Sequence, residues 1–195
     1  MIGEYVAPSV KVYENVLPNA DEFITFAVNR PEERWTPSYV GGDKKLVTGM
    51  RNSREFSMKY GLNEPKMFFD LAHIIFQATK LYADENGFRF SLMEPVTMLE
   101  YLPNQGFYDL HVDAGPSHPR VCSALLYLND VDEGGETWFD KQGLKIKPEK
   151  GKLIVFPASY AYSHQAMPPV SGNKYVAVTW FGQVLDRDIF ERYYK

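Results

Sequence analysis

The sequence predicts a mostly β chain with flanking α-helices, its strands packed as an antiparallel sandwich. Helical periodicity is confined to two segments before Glu94 and a short one at the end of the chain. From Glu94 onward, short β-branched and aromatic runs alternate with clusters of Pro, Gly, Asn and Asp. Helices that come first and strands that bunch later, without regular alternation, disfavour a wound βαβ sheet.

The first helix is expected over residues 18–30, where Phe23, Phe26 and Ala27 recur at helical spacing behind the polar starters Asn19 and Asp21. The second is expected from about Glu64 to Asp84, with Asn63 as N-cap, Pro65 in the first turn and Asn86-Gly87 as the stop. Its broad stripe of Phe68, Leu71, Ala72, Ile75, Phe76, Thr79 and Tyr82 should pack on something flat. His73 lies beside the stripe and reads as a partly buried structural histidine. Between the helices, TPSYVGGDKKLVTGMRNSREFSMKYG shows no sustained period and reads as a mobile surface loop. PVTMLEYL, RVCSALLYLN, GKLIVFPA and NKYVAVTWFG then read as strands, and LDRDIFERYYK as a short closing helix on Ile189, Phe190 and Tyr193.

Composition narrows the function. At 195 residues, with 45% hydrophobic and 24% charged residues, one folded domain is the expectation rather than a disordered chain. Twenty-one Lys and Arg against 25 Asp and Glu, with no basic run, disfavour a partner held through phosphates. The single cysteine, Cys122, excludes an internal disulfide framework and a cysteine-built zinc site. No basic segment leads into an apolar stretch at the N-terminus, and no apolar run approaches the roughly 20 residues of a membrane span. No membrane association and a cytoplasmic location are therefore expected.

Chemistry concentrates late in the chain. His111-Val112-Asp113 puts an imidazole and a carboxylate two residues apart, on one face of an extended strand. His164 follows the strand GKLIVFPA after a short connection. Two histidines and one carboxylate on a β scaffold form the facial set that holds non-haem Fe(II) with open positions. A pair of satisfied core or surface histidines is the alternative. Lys174 opens an apolar strand, where a buried ammonium needs an anion; the alternative sets its head in water at the strand mouth. Alternation places Lys174, Val176, Val178 and Trp180 on one face.

With these residues in place, the stretch from about 94 to 182 resembles the Fe(II)- and 2-oxoglutarate-dependent prolyl 4-hydroxylases. The matching pieces are Tyr101, Tyr108-x-x-His111-x-Asp113, Arg120 to Tyr127-Leu128-Asn129, Gly134-Gly135-Glu136-Thr137, Pro148-x-x-Gly151, Phe156, His164, Pro169-Val170, Gly172-x-Lys174 and Trp180. The Tyr101 to His111 interval is similar to that of the hypoxia-sensing prolyl hydroxylases. A lysine ten residues past the distal histidine is similar to the collagen-type and algal enzymes. Asn104 departs from the pattern, standing where family members often have Gly.

The resemblance implies a double-stranded β-helix core of jelly-roll, cupin-like form. It divides the single domain 1–195 into helical support and lid loop over 1–93, the iron-bearing core over 94–182 and a tail over 183–195. It implies His111, Asp113 and His164 as iron ligands, Lys174 and Tyr127 as partners of the distal carboxylate of 2-oxoglutarate, and Tyr101 as a further cosubstrate-pocket residue. O2 is the second cosubstrate, succinate and CO2 are the co-products, and no general acid or base is needed.

On the substrate side, Trp180 resembles the aromatic residue near the substrate pocket, with an ordinary core tryptophan as the alternative. Tyr108 lines the pocket mouth or caps its strand. Arg51-Asn52-Ser53 resembles the Arg-x-Ser stretch of a lid over a peptide groove, with solvated surface charge as the alternative for Arg51. Gly134-Gly135 reads as a turn needing positive φ, Glu136 and Thr137 as packing residues, and His118 as a surface-loop histidine. The implied partner is a proline-containing peptide or protein. Free proline or another small molecule remains a second substrate reading, and a catalytically silent β-helix binding module a third. Oligomeric state is not legible.

Overall fold

The computed structural model describes residues 1–30, 34–38, 49–57, 66–115 and 118–183. The first part of the chain forms β1 (Gly3–Ala7), β2 (Val10–Tyr13), helix α1 (Ala20–Val28), β3 (Trp35–Pro37), β4 (Arg51–Asn52), β5 (Arg54–Ser57) and helix α2 (Lys66–Glu85). The second part forms β6 (Leu92–Met93), β7 (Thr97–Tyr101), β8 (Phe107–His111), β9 (Arg120–Tyr127), β10 (Thr137–Phe139), β11 (Leu144–Ile146), β12 (Leu153–Pro157), β13 (His164–Ala166) and β14 (Lys174–Gly182).

The strands make two antiparallel sheets. The larger runs β1-β2-β12-β9-β14-β7-β5-β3, with β6 also paired to β14, and the smaller runs β11-β10-β13-β8-β4. Alternation along the larger sheet separates two cores. One row, with Leu99, Tyr101, Tyr127, Ile154, Phe156, Val176 and Val178, packs against Phe139 and Ile146 of the smaller sheet. The opposite row, with Met98, Cys122, Ala124, Leu126, Ala177 and Phe181, packs against Phe23 and Ala27 of α1 and Phe68, Leu71, Ile75 and Tyr82 of α2. The helical stripe thus meets a flat sheet, as its width requires. Elongation of this kind, two sheets back to back with helices on one outer face, is the jelly-roll core expected for 94–182.

Three expectations change. The N-terminal third is not purely helix and loop: β1 and β2 extend the larger sheet through Leu153↔Tyr13 and Val155↔Lys11. Lys11, which broke the apolar pattern there, is buried with its ammonium paired to Glu85 at the end of α2. The segment read as a mobile loop contains β3, β4 and β5; β5 pairs with β7 and β4 with β8, so local sequence carried no period because the partners are distant. His73 is exposed rather than partly buried. Asn63, Pro65 and the closing segment LDRDIFERYYK lie outside the described residues. No described helix is long and apolar enough to cross a membrane.

Candidate active site

His111 ends β8, Asp113 follows it by two, and His164 begins β13. The antiparallel pairing of β13 with β8 sets His164 directly opposite His111. Among the described residues, these three bring one ligand atom each to within 4.8 Å of one another. His111 Nε2 lies 3.6 Å from Asp113 Oδ1 and His164 Nε2 lies 3.7 Å from Asp113 Oδ2.

The tautomers follow from the backbone. His111 Nδ1 is 2.7 Å from the Asp109 carbonyl oxygen and His164 Nδ1 is 3.1 Å from that of Tyr162. A carbonyl only accepts, so each Nδ1 carries the proton and each Nε2 presents a lone pair to the cluster. Burial, and next the neighbouring His164, hold the His111 imidazole well below its ordinary value, so the ring is neutral near pH 7. Burial alone raises the Asp113 carboxyl, but His164 and His111, with hydrogen bonds from Ser123 and Trp180, outweigh it and keep the group an anion. Two imidazoles and one carboxylate are a donor set that fits Fe(II) and leaves coordination positions open.

The pocket beside the cluster is lined by Arg51, Tyr101, Tyr108, Thr137 and Trp180 among others. Tyr108 stacks on the His111 ring at 3.5 Å between centroids and 14° between planes, and the Arg51 guanidinium lies 4.6 Å from the Tyr108 ring. Arg51 also donates from Nε to Ser53 Oγ at 2.9 Å, and Arg51 and Ser53 both hydrogen-bond the Tyr101 hydroxyl. Arg51 therefore faces the pocket rather than bulk water. β4, the short strand that carries it, joins the smaller sheet beside the cluster.

Lys174 is 1% exposed, which settles the choice between strand mouth and interior. Its Nζ donates to the Gly135 carbonyl at 2.6 Å and sits 5.1 Å and 5.4 Å from the Tyr101 and Tyr127 ring centroids. Burial lowers its amine to about 7, with Glu136 opposing. Gly134 and Gly135 both have positive φ, +76° and +78°, and a Cβ on Gly135 would meet the Lys174 stem at 3.4 Å. The turn thus presents Gly135's carbonyl to Lys174 and leaves room for its chain.

Tyr127 and Thr137 are joined by a hydrogen bond beside the pocket. Tyr127 is wholly buried behind the pocket lining, its hydroxyl donating to Thr137 Oγ1 at 2.7 Å and lying 3.1 Å from the Ile146 carbonyl oxygen. Thr137, read as packing, lines the pocket. Arg120 also escaped notice as a site residue. Its guanidinium holds both Glu94 carboxylate oxygens at 2.6 Å, reaches the Asp113 carbonyl at 3.3 Å and lies 3.8 Å from the Trp180 ring. An arginine opening an apolar strand was the available signal, since a buried stem and charged head need a partner. His118 takes no part in the cluster and bridges to Gly115.

The fold and this cluster point to a class: residues 96–182 match the 2OG-Fe(II) oxygenase superfamily. The chain is prolyl 4-hydroxylase-like. It is 32% identical over 195 residues to prolyl 4-hydroxylase subunit alpha-1 of Rattus norvegicus, across 91% of this chain and 35% of that one. It is 28% identical over 139 residues to prolyl 4-hydroxylase 13 of Arabidopsis thaliana, across 50% of this chain and 51% of that one. The chain thus spans about half or less of these relatives. Among solved structures, the viral collagen prolyl hydroxylase of Paramecium bursaria Chlorella virus-1, in its 2OG complex, shares the fold with a TM-score of 0.68 at 24% identity, over 92% of this chain and all of that one. A prolyl hydroxylase of Trichoplax adhaerens, in complex with a hypoxia inducible factor peptide fragment, gives 0.77 at 16% identity, over 90% of this chain and 84% of that one.

Proposed function

We propose that this chain is an Fe(II)- and 2-oxoglutarate-dependent dioxygenase that hydroxylates a prolyl residue in a peptide or protein. The observation that carries the reading is the convergence of His111, Asp113 and His164 in a pocket whose sheet also buries an ammonium, Lys174. A buried cation whose direct contacts are a carbonyl and two rings, with Glu136 acting only through space, invites an anion, and a dicarboxylate cosubstrate brings one.

The residues divide the work. His111 Nε2, His164 Nε2 and one Asp113 oxygen hold Fe(II). Bound iron, with 2-oxoglutarate and O2, supplies the oxidant for hydroxylation, and succinate and CO2 leave as co-products. Lys174 has three donors and gives one to Gly135, so it retains others for the remote carboxylate of 2-oxoglutarate. Tyr127, whose ring lies 5.4 Å from the Lys174 ammonium, is the second partner of that carboxylate, and Thr137 holds the Tyr127 hydroxyl. Tyr101, held by Arg51 and Ser53, walls the cosubstrate side. Tyr108, Trp180 and Arg51 surround the mouth, where aromatic faces and a guanidinium suit a prolyl ring and its flanking carbonyls.

The peptide reading draws support from the Trichoplax structure, which was solved with a peptide fragment. Incubation with Fe(II), 2-oxoglutarate and proline-rich peptides should yield succinate together with a 16 Da gain on the peptide. A gain confined to free proline would replace the peptide by a small molecule. No succinate with any substrate would leave a silent binding module.

A further inference from the structure

We infer that Ser123 is a positioning residue for the metal centre, its hydroxyl tying down one carboxylate oxygen of Asp113 so that the other alone is presented to the metal. The inference rests on the reading that His111, Asp113 and His164 hold Fe(II).

Ser123 is a polar interruption in an apolar row. It lies on β9 ahead of Leu125 and Tyr127, which face the inter-sheet core, and it pairs with Trp180 on β14 and Phe156 on β12. At 2% exposure it has no recourse to water. A buried hydroxyl without a partner is costly, and this one donates to Asp113 Oδ2 at 2.6 Å, the short length of a hydroxyl bound to an ionised carboxylate. The Trp180 indole, a donor only, adds a second hydrogen bond to the same carboxylate. Trp180 in turn is fixed by the Arg120 guanidinium 3.8 Å from its ring, and Arg120 by Glu94. Asp113 itself stands just beyond the end of β8, where no ladder restrains it.

The consequence is one of geometry and count. Both carboxylate oxygens face the cluster, Oδ1 3.6 Å from His111 Nε2 and Oδ2 3.7 Å from His164 Nε2, and the Ser123 hydroxyl occupies Oδ2, which leaves Oδ1 as the oxygen without a hydroxyl partner. An unrestrained carboxylate can rotate, or chelate a metal through both oxygens and take a position that a bidentate cosubstrate or O2 would use. Hydrogen bonds to a ligating carboxylate prevent both.

The test uses the full chain and Co(II), whose visible absorption reports both occupancy and coordination. The unaltered protein should bind Co(II), and Ser123→Ala should weaken that binding about 10- to 100-fold. Ser123→Thr keeps the hydroxyl and should restore the affinity and the absorption band. Thr and Val share a shape, so the difference between Ser123→Thr and Ser123→Val reads the hydroxyl alone, whatever a larger side chain does to packing. Equal Co(II) affinity across the Thr and Val variants, or an unchanged Ser123→Ala, overturns the inference. Failure of the unaltered protein to bind Co(II) overturns the metal site itself, and this role with it.

Discussion

His164 stands opposite His111 in the pairing of β13 with β8, their ring centroids 4.3 Å apart. β13 has only three residues, so its register is shared with β10 on its other side, where His164 faces Phe139. Phe156 closes against the same ring at 4.9 Å between centroids, edge to face. Because side chains alternate, a slip of one residue would send the imidazole to the outer face. The aromatic contacts and the double pairing are what hold the second histidine on the first.

With the two rings held this way, each should be needed to complete the cluster. His111→Ala and His164→Ala should each abolish retained iron, from about one ion per chain to none measurable by metal analysis after desalting, since two remaining ligands make a poor site for Fe(II). Both variants should keep the circular dichroism of the unaltered chain, because neither ring belongs to the helix-facing core.

Lys174 should govern cosubstrate affinity. Loss of a charge-assisted hydrogen bond is worth about 1.5–3 kcal/mol, so Lys174→Ala should raise the Kd for 2-oxoglutarate roughly 10- to 100-fold. The pH dependence has a definite sign. Burial sets the ligand-free amine at about 7, and the anion requires the ammonium. Affinity is therefore full below pH 7 and falls about tenfold per pH unit above it, until the bound-state value is reached. Calorimetric titrations from pH 6 to 9 should show this slope, and Lys174→Ala should remove it.

Much of this was legible in sequence where periodicity and chemistry coincide. The two-residue spacing of His111 and Asp113, the alternation that put Lys174 on the face of Val176 and Val178, and the stripe on α2 are local patterns, and each appears in the structure. What could not be read depends on distant partners. β1 to β5 are short; β2, β4 and β5 are strands because β12, β8 and β7 pair with them, and β1 and β3 add on to β2 and β5. The hydrogen bond between Tyr127 and Thr137 comes from the packing of β9 against β10, which no local pattern shows. The orientation of Trp180 towards Asp113 likewise comes from a cross-strand neighbour.

Thr137 and Tyr127 should separate in cosubstrate affinity. Thr137→Val removes a hydroxyl that lines the pocket and should raise the 2-oxoglutarate Kd, and it should also cost about 1 kcal/mol of stability because the buried Tyr127 hydroxyl loses this acceptor. Tyr127→Phe removes the partner hydroxyl itself and should cost about 1 kcal/mol of stability, the ordinary worth of a buried hydrogen bond, with a larger change in Kd. Parallel denaturant melts and titrations should show similar losses of stability and unequal changes in Kd.

Cys122 faces the helices from the larger sheet and is wholly buried, and burial pushes its thiol up to about 12. It should therefore resist a thiol reagent at pH 8, with labelling that accelerates only as denaturant opens the sheet against α2. Labelling at the rate of a small free thiol in native buffer would place Cys122 outside this core.

Two turns beside the site test backbone conformation separately from chemistry. Gly134 has φ +76°, and a Cβ there would come within 2.5 Å of the Pro168 carbonyl oxygen, a backbone atom that cannot swing aside. Gly134→Ala should cost about 1–3 kcal/mol, the scale of a strained backbone position, and should loosen the turn that offers Gly135 to Lys174. Asn104 also sits in the left-handed region at φ +59°, and its backbone N–H donates to the Pro169 carbonyl at 2.8 Å. Asn tolerates that conformation better than other side chains. Asn104→Gly should accordingly be near neutral, whereas Asn104→Val should cost about 1–2 kcal/mol. Thermal melts of the three variants should rank Asn104→Gly above both others, and a Gly134→Ala melt equal to that of the unaltered chain would show that this turn relaxes without strain.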